Sequence, residues 1–267
     1  MKTGTSPEDN KRFSRAIVCP PCANFAEGLS ASQLGPPSYE RALKQHEQYC
    51  LALEVCGLVL TRLEADRRYP DSTFVEDTAV LTKAGAILCR PGAPSRLGET
   101  ERMRATLQSQ FGRFRAIEGP GTVDGGDVCE AGRCFFIGVS GRTNEEGASQ
   151  LAGFLKTEGY AAELIDIRGN PALLHLKSGM AYLGDGRLLI VAALAKERAF
   201  SGYEAFLVPE GEEYAANCVR VNEEVLVASG YPRTERLLRT AGYSVASLDV
   251  SEFRKMDGGL SCLSLRI

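Results

Sequence analysis

Apolar residues in this chain come in short runs broken by turn residues, and the breaks recur. Residues 73–80 read as a strand, Lys83-Ala84-Gly85 as a turn and 86–90 as a second strand. The pattern returns at 127–130, Ala131-Gly132-Arg133 and 134–139. It returns again at 174–183, Gly184-Asp185-Gly186 and 187–192, and at 216–221, Asn222-Glu223 and 224–228. Gly, Asp and Asn stand where hairpins need residues that tolerate positive φ. Between the hairpins the apolar spacing changes to a helical period, at 99–111, 144–158 and 232–242. Further extended segments follow at 162–167 and 244–250. Each unit therefore predicts strand, strand, helix, strand, and the units begin about every 40 to 50 residues, the range of propeller-type repeats.

A fifth unit opens at 257–265, and the chain stops inside it. Residues 15–20, followed by a helix over 39–57, supply the missing half if the two ends join. Joining them closes a ring and removes exposed strand edges. The pattern predicts an α/β fold of five pseudo-repeats around an axis, one domain over 1–267, with residues 1–11 expected to be disordered.

Composition narrows the partners. The hydrophobic fraction of 44% and charged fraction of 24% are those of a protein that buries an ordinary core. A net charge of −3 gives no basic footprint for nucleic acid. No apolar run approaches the roughly 18 residues of a membrane span. The polar residues 1–15 do not read as a signal peptide. Nine cysteines, most of them in apolar strand-like contexts, read as reduced thiols, so a cytoplasmic protein is expected.

The candidate chemistry is concentrated at the starts of the units. There are two histidines. His46 lies in the predicted first helix, and His175 lies in Leu173-Leu174-His175-Leu176-Lys177-Ser178-Gly179, read as a strand start. Cys262 ends the stretch Asp257-Gly258-Gly259-Leu260-Ser261-Cys262. If Cys262 is a nucleophile assisted by an imidazole, His175 is the natural partner. Unit one brings Asp71, Glu76 and Asp77, and unit two brings Asp124 and Asp127. Carboxylates inside apolar runs are costly unless paired. A ring of them around one cavity therefore suggests a cationic ligand, and a planar guanidinium fits. Taken singly, each has a plainer reading. Asp-Gly-Gly is ordinary turn chemistry at Asp124 and Asp257. Asp71 follows Pro70 and shapes a loop, while Arg96 and Arg142 are solvated cations.

Taken together, these motifs resemble the dimethylarginine dimethylaminohydrolase family of the guanidino-group-modifying (pentein) superfamily. The resemblance runs from Phe13 to Ile267. It is carried most specifically by residues 70–77, Arg90-Pro91-Gly92-Ala93-Pro94-Ser95-Arg96, 124–127, Arg142-Thr143-Asn144, Leu174-His175-Leu176-Lys177, Ala215-Ala216-Asn217-Cys218 and 257–262. The Gly230-Tyr231-Pro232-Arg233-Thr234 stretch and the ending are closer to bacterial members. The resemblance implies a five-bladed α/β propeller around a central active-site channel. It implies hydrolysis of Nω-methylated L-arginines to citrulline and a methylamine, with no metal or organic cofactor. Residue by residue, it implies Cys262 as nucleophile, His175 as general acid/base and Asp124 as the acid that orients the histidine. Asp77, with Glu76 beside it and the Met256 carbonyl nearby, matches the guanidinium site. Asp71 and the Leu29 carbonyl match the α-amine site, and Arg96 with Arg142 match the α-carboxylate site. Leu29 lies in 25–35, a loop that reads as a lid. A homodimer is a further expectation from the resemblance.

Three rival readings remain. The first is another guanidine hydrolase such as an arginine deiminase, although those usually carry an extra helical insertion. The second is a redox or metal-binding protein built on Cys19-Pro20-Pro21-Cys22. The third is a binding relative without catalysis, which the filled Cys262, His175 and Asp124 positions oppose.

Overall fold

The structure is a computed structural model that describes residues 12–267; the expected disorder of 1–11 falls outside the described residues. Five three-stranded sheets surround a common axis, forming a five-bladed α/β propeller. In chain order the strands are β1 (Arg15–Val18), β2 (Val59–Arg62), β3 (Ala79–Leu81), β4 (Ala86–Leu88), β5 (Phe114–Ala116), β6 (Val128–Ala131), β7 (Cys134–Val139) and β8 (Ala161–Asp166). They continue as β9 (Met180–Gly184), β10 (Arg187–Ile190), β11 (Glu204–Leu207), β12 (Val219–Val221), β13 (Glu224–Ala228), β14 (Ser244–Leu248) and β15 (Leu265–Arg266). Each blade pairs an antiparallel hairpin with a third, parallel strand: β3-β4-β5, β6-β7-β8, β9-β10-β11 and β12-β13-β14. The remaining blade is β15-β1-β2, so the two ends of the chain meet in one sheet.

The parallel third strand needs a crossover, and a helix supplies it in four blades. These are α1 (Tyr39–Val55), α2 (Glu99–Gln108), α3 (Glu145–Thr157) and α4 (Pro232–Thr240). Local chemistry sets their starts. Ser38 and Asn144 accept from the backbone N–H of Arg41 and Gly147, and Pro232 occupies the first turn of α4. The third blade departs from the predicted unit. Its crossover holds two short 3₁₀ turns, Ala192–Leu194 and Arg198–Phe200, because its apolar anchors Leu194 and Phe200 fall off the helical period. Phe200 packs edge-on against Phe136 at 4.9 Å instead. A short α5 (Ser251–Arg254) leads into the last turn.

The inner and middle strands are mostly apolar because both faces are covered, with charged residues such as Glu130, Arg187 and Glu224 at or near their ends. β3, β4 and β12–β13 are buried almost throughout, while the outer strands β2 and β8 are mostly exposed. The core is thus divided among the spaces between blades and under helices, with Phe135, Phe136, Leu151, Leu183 and Phe253 fully enclosed. Each such side chain contributes roughly 1.5–3 kcal/mol by burial.

Predicted and observed elements differ most where the axis is approached. The predicted strand starts at 73–78, 127, 174–179 and 216–218 are not strand. Each blade enters through a 3₁₀ turn: Val75–Thr78, Gly125–Asp127, Leu176–Ser178, Glu213–Ala216 and Ser261–Leu263. These turns pack against one another around the ring and carry the polar groups inward.

Candidate active site

His175 is the residue before the Leu176–Ser178 turn, in extended conformation. Its Nε2 lies 3.0 Å from Asp124 Oδ2, and both side chains are buried. Asp124 is held in turn, because its Oδ1 accepts from the Gly92 backbone at 2.8 Å and its own N–H donates to Thr143 Oγ1. The next acid along, Asp127, braces the histidine turn. It accepts from Leu176 N–H at 2.9 Å and from the hydroxyls of Ser140 and Thr143 at 2.6 and 2.7 Å. Gly126 lies directly under the imidazole. A Cβ there would sit 2.7 Å from His175 Nδ1 and 2.9 Å from Asp77 Oδ1, so only glycine lets the two turns close.

Asp77 receives the Gly126 N–H at 2.8 Å on Oδ1 and the Arg96 guanidinium at 2.6 Å on Oδ2. Liganding atoms of Asp77, Asp124 and His175 lie within 4.8 Å of one another. That spacing suits a divalent ion, but each carboxylate oxygen already has a protein partner and the imidazole is tied to Asp124. The trio reads as a hydrogen-bonded acid/base cluster rather than an ion cage.

Arg96 is the most heavily engaged cation of the site. It bonds Glu99 through Nε and Nη2, Asp77 through Nη1, and the carbonyls of Phe74 and Asp71 through Nη2. Arg142 is half-buried, and the charges of both arginines reach Asp71. Both oxygens of Asp71 accept from the Leu29 N–H at 3.1 Å, fastening the 25–35 loop over this end of the site. Leu29 is exposed, while Phe25 at the base of the loop is locked between Phe74 and Phe253. Glu76 is engaged within the ring. Lys177 Nζ at 2.6 Å, Ser261 Oγ at 2.7 Å and Arg266 at 3.4 Å take up its carboxylate. A cavity of about 550 Å³ reaches Glu76, Lys177 and Ser261 but is not lined by Asp77, His175 or Cys262, so it is separate from the acid/base cluster.

Cys262 lies in the Ser261–Leu263 turn, which packs on the Val75–Thr78 turn bearing Asp77. Met256 is buried just upstream. Burial, reinforced by the charges of Glu76 and Asp77, pushes the Cys262 thiol up to about 12, against the pull of a Gly259 backbone hydrogen bond and Lys177. Burial opposes the charged imidazole, but the carboxylates of Asp77, Asp127 and Asp124 outweigh it and hold His175 up at about 9. Burial likewise opposes ionised Asp77, yet His175 and Arg96 keep its carboxyl down at about 2. At neutral pH these three groups therefore stand as imidazolium, carboxylate and neutral thiol. A ligand cation over Asp77 offsets the charge that holds the proton on sulfur, which is how a buried thiol becomes a nucleophile.

All the sequence-nominated residues are described, and the cluster Asp77–Asp124–His175 is drawn together as direct neighbours. Sequence reasoning gave no role to Glu99, Lys177 or Asn217, and it placed Asp127 in the cation-binding ring, whereas its oxygens are taken up by Ser140, Thr143 and the Leu176 N–H. Burial raises the Glu99 carboxyl to about 7 against the pull of Arg96, which it clamps. Its place after Arg96 in a helix start gave only an ordinary acidic first turn. The Cys19–Cys22 pair is buried with its thiols on backbone carbonyls, Cys19 on Glu64 and Pro20 and Cys22 on Pro70, bracing the loop before Asp71.

A propeller whose axis turns gather a cysteine, a histidine and carboxylates defines a guanidino-group-modifying hydrolase scaffold, and residues 68–205 match the family model described as arginine deiminase. The chain belongs to the dimethylarginine dimethylaminohydrolase family within it. It is 44% identical over 255 residues to N(G),N(G)-dimethylarginine dimethylaminohydrolase of Pseudomonas aeruginosa, covering 95% of this chain and 99% of that one. It is 32% identical to the Streptomyces coelicolor enzyme of that name, covering 95% and 96%. The Pseudomonas aeruginosa enzyme, solved as a cysteine-to-serine variant complexed with citrulline, superposes with a TM-score of 0.93 at 43% identity, over 96% of this chain and all of that one. The fold alone is shared with the N-terminal domain of ArgZ, an arginine dihydrolase, at TM-score 0.85 and 20% identity, covering 96% of this chain and 97% of that one.

Proposed function

We propose that this protein hydrolyses Nω-methylated L-arginines to L-citrulline and dimethylamine or methylamine. The observation that carries the reading is the buried His175–Asp124 pair set against Asp77, on turns that also bring Cys262 to the axis. Asp77 holds the substrate guanidinium, aided by the Met256 carbonyl, with Glu76 behind it. Asp71 and the Leu29 carbonyl hold the α-amine, and Arg142 holds the α-carboxylate, with Arg96 adding its charge from its clamp on Asp77 and Glu99. The bound cation favours the Cys262 thiolate, so the thiol proton is lost to solvent as the cation binds, and the thiolate attacks the guanidinium carbon. Imidazolium at His175 gives its proton to the departing methylated nitrogen, the C–N bond breaks, and an S-alkylthiouronium remains on Cys262. Neutral His175 then takes a proton from water. The hydroxide adds to the same carbon, the C–S bond breaks with its electron pair going to sulfur, the hydroxyl proton passes to that thiolate or to solvent, and citrulline leaves.

The nine cysteines are unpaired, which fits a reducing compartment, and no helix among the described residues is long and apolar enough to cross a membrane. The match of residues 68–205 to the arginine deiminase model keeps free L-arginine as a second substrate to be tested. The deciding assay measures citrulline release from asymmetric dimethylarginine beside L-arginine, in wild type and Cys262→Ser. Turnover of the methylated substrate that vanishes in the variant supports the reading. Turnover of L-arginine alone replaces it with a deiminase.

A further inference from the structure

The fourth blade brings none of the nominated acid, base or nucleophile residues to the axis. Yet the residue that follows its axis turn, Asn217, touches the loops of both the base and the nucleophile. Asn217 is buried. Its Oδ1 accepts from the Ser261 N–H at 2.9 Å, and its Nδ2 donates to the Lys177 carbonyl at 2.9 Å and to Ser261 Oγ at 3.1 Å. The partners fix which end of the amide is which, since a backbone N–H only donates and a carbonyl only accepts. Lys177 stands two residues beyond His175, and Ser261 immediately precedes Cys262. One amide plane therefore spans the two loops.

Two more contacts come from the same place. The Tyr214 hydroxyl donates to the Gly258 carbonyl at 2.7 Å. A Cβ on Gly259 would lie 2.5 Å from Asn217 Oδ1, so the nucleophile loop presses on the amide only because it has no side chain there. Ser261 Oγ passes the chain on to Glu76 at 2.7 Å, and Lys177 Nζ reaches the same carboxylate at 2.6 Å. The circuit is closed across four blades, with all its polar groups satisfied.

We propose that Asn217 is a positioning residue for Cys262, whose amide sets the nucleophile loop against the histidine turn and so fixes the reach from sulfur to imidazolium. This rests on the reading of Cys262 and His175 as nucleophile and acid/base. Asn217 is bonded to protein loops at both ends of its amide, so its loss acts on the chemical step more than on substrate binding. Gly259 offers a backbone hydrogen bond that favours the thiolate, and it sits on the Asn217 amide. Relaxing the loop withdraws that bond.

The test compares wild type, Asn217→Ala and Tyr214→Phe, with thermal melting to confirm folding. In Asn217→Ala, kcat is expected to fall about 30-fold while KM stays within about threefold. Iodoacetamide labelling of the Cys262 peptide at pH 8, followed by mass spectrometry, is expected to run about threefold or more slower, because the thiolate fraction falls. A folded Asn217→Ala protein with wild-type kcat and an unmoved labelling rate overturns the proposal. If that variant does not fold, Tyr214→Phe takes its place. It loses only the hydroxyl on Gly258, and its labelling must slow too; an unmoved rate overturns the proposal equally. A wild type that turns over no methylated arginine sinks the substrate assignment, and the labelling comparison still judges Asn217.

Discussion

At the scale of single residues, the charge state of the site follows from who neighbours whom. His175 is surrounded by three carboxylates, and its proton is held up to about 9 from an ordinary value of 6.5. A histidine raised in this way stabilises the folded state fully below its unfolded pKa and stops doing so as pH rises through its folded one. The protein is therefore expected to lose roughly 3 kcal/mol of stability between about pH 6.5 and 9, read by denaturant unfolding. Asp124→Asn weakens the partner, lowers the folded pKa and should flatten that decline; an equally steep decline in this variant assigns it to other groups. The same variant is expected to cut kcat roughly 10²- to 10⁴-fold, because an amide neither holds the imidazolium nor fixes its orientation as a carboxylate does. Cys262→Ser is more severe. A hydroxyl in this acid-rich setting is not ionised by a bound cation, so turnover should drop by at least about 10³-fold while the melting temperature is kept.

Among the elements, the lid loop carries the next prediction. Ala31 N–H donates to Asp257 Oδ2 at 2.6 Å and Ser30 Oγ to the same oxygen at 3.2 Å, so Asp257 latches the 25–35 loop onto the segment that bears Cys262. Asp257 has a φ of 56°, where glycine is at ease. Asp257→Gly thus removes the latch without straining the backbone. KM is expected to rise about fivefold with kcat nearly unchanged, and proteolysis should appear within residues 28–35. An unaltered KM would leave the latch without a role in substrate capture. Asp257 also shows how far the sequence could be read. Hairpins, helices and their order were legible because apolar period and turn residues are local signals. His175, Cys262 and Asp124 were nominated because two histidines left little choice and because the motifs resemble a known family, and the structure pairs His175 with Asp124. The axis turns were not, since Phe74-Val75-Glu76-Asp77 and Leu174-His175-Leu176 are as apolar as strands. Their 3₁₀ form is imposed by neighbouring turns, through bonds such as Gly126 to Asp77 and Leu176 to Asp127. Nor did spacing alone give roles to Glu99 and Asn217, whose partners include groups that only the closed ring brings near.

For the whole molecule, the question is what fastens a ring made from one open chain. The sequence pattern predicted that the ends would join, and β15 pairs with β1 as Ala16 with Arg266 and Ile17 with Leu265. Beyond that ladder, Ser14 and Arg15 N–H donate to the Ile267 carbonyl at 2.7 and 3.0 Å, and Ile267 N–H returns to Arg15 at 2.8 Å. Asn222 in the fourth blade adds a brace by bonding Phe13 and Cys56. Leu265 and Ile17 share a core with Leu88 and Met103, so the joint also buries apolar surface between blades. Removing residues 265–267 leaves Cys262, His175 and every nominated binding residue in the chain. It nevertheless bares the edge of β1 and empties the Leu265 site, a loss of roughly 3–5 kcal/mol from burial and unpaired backbone together. The melting temperature is expected to fall by about 10 °C. Activity should fall with it below the melting point, because the turn that presents Cys262 runs straight into the deleted strand. Leu265→Ala separates the two contributions, since it keeps the ladder and removes only the packing. A truncated protein that melts within about 2 °C of wild type would show that the ring is held by its blade-to-blade cores and that the terminal ladder adds little.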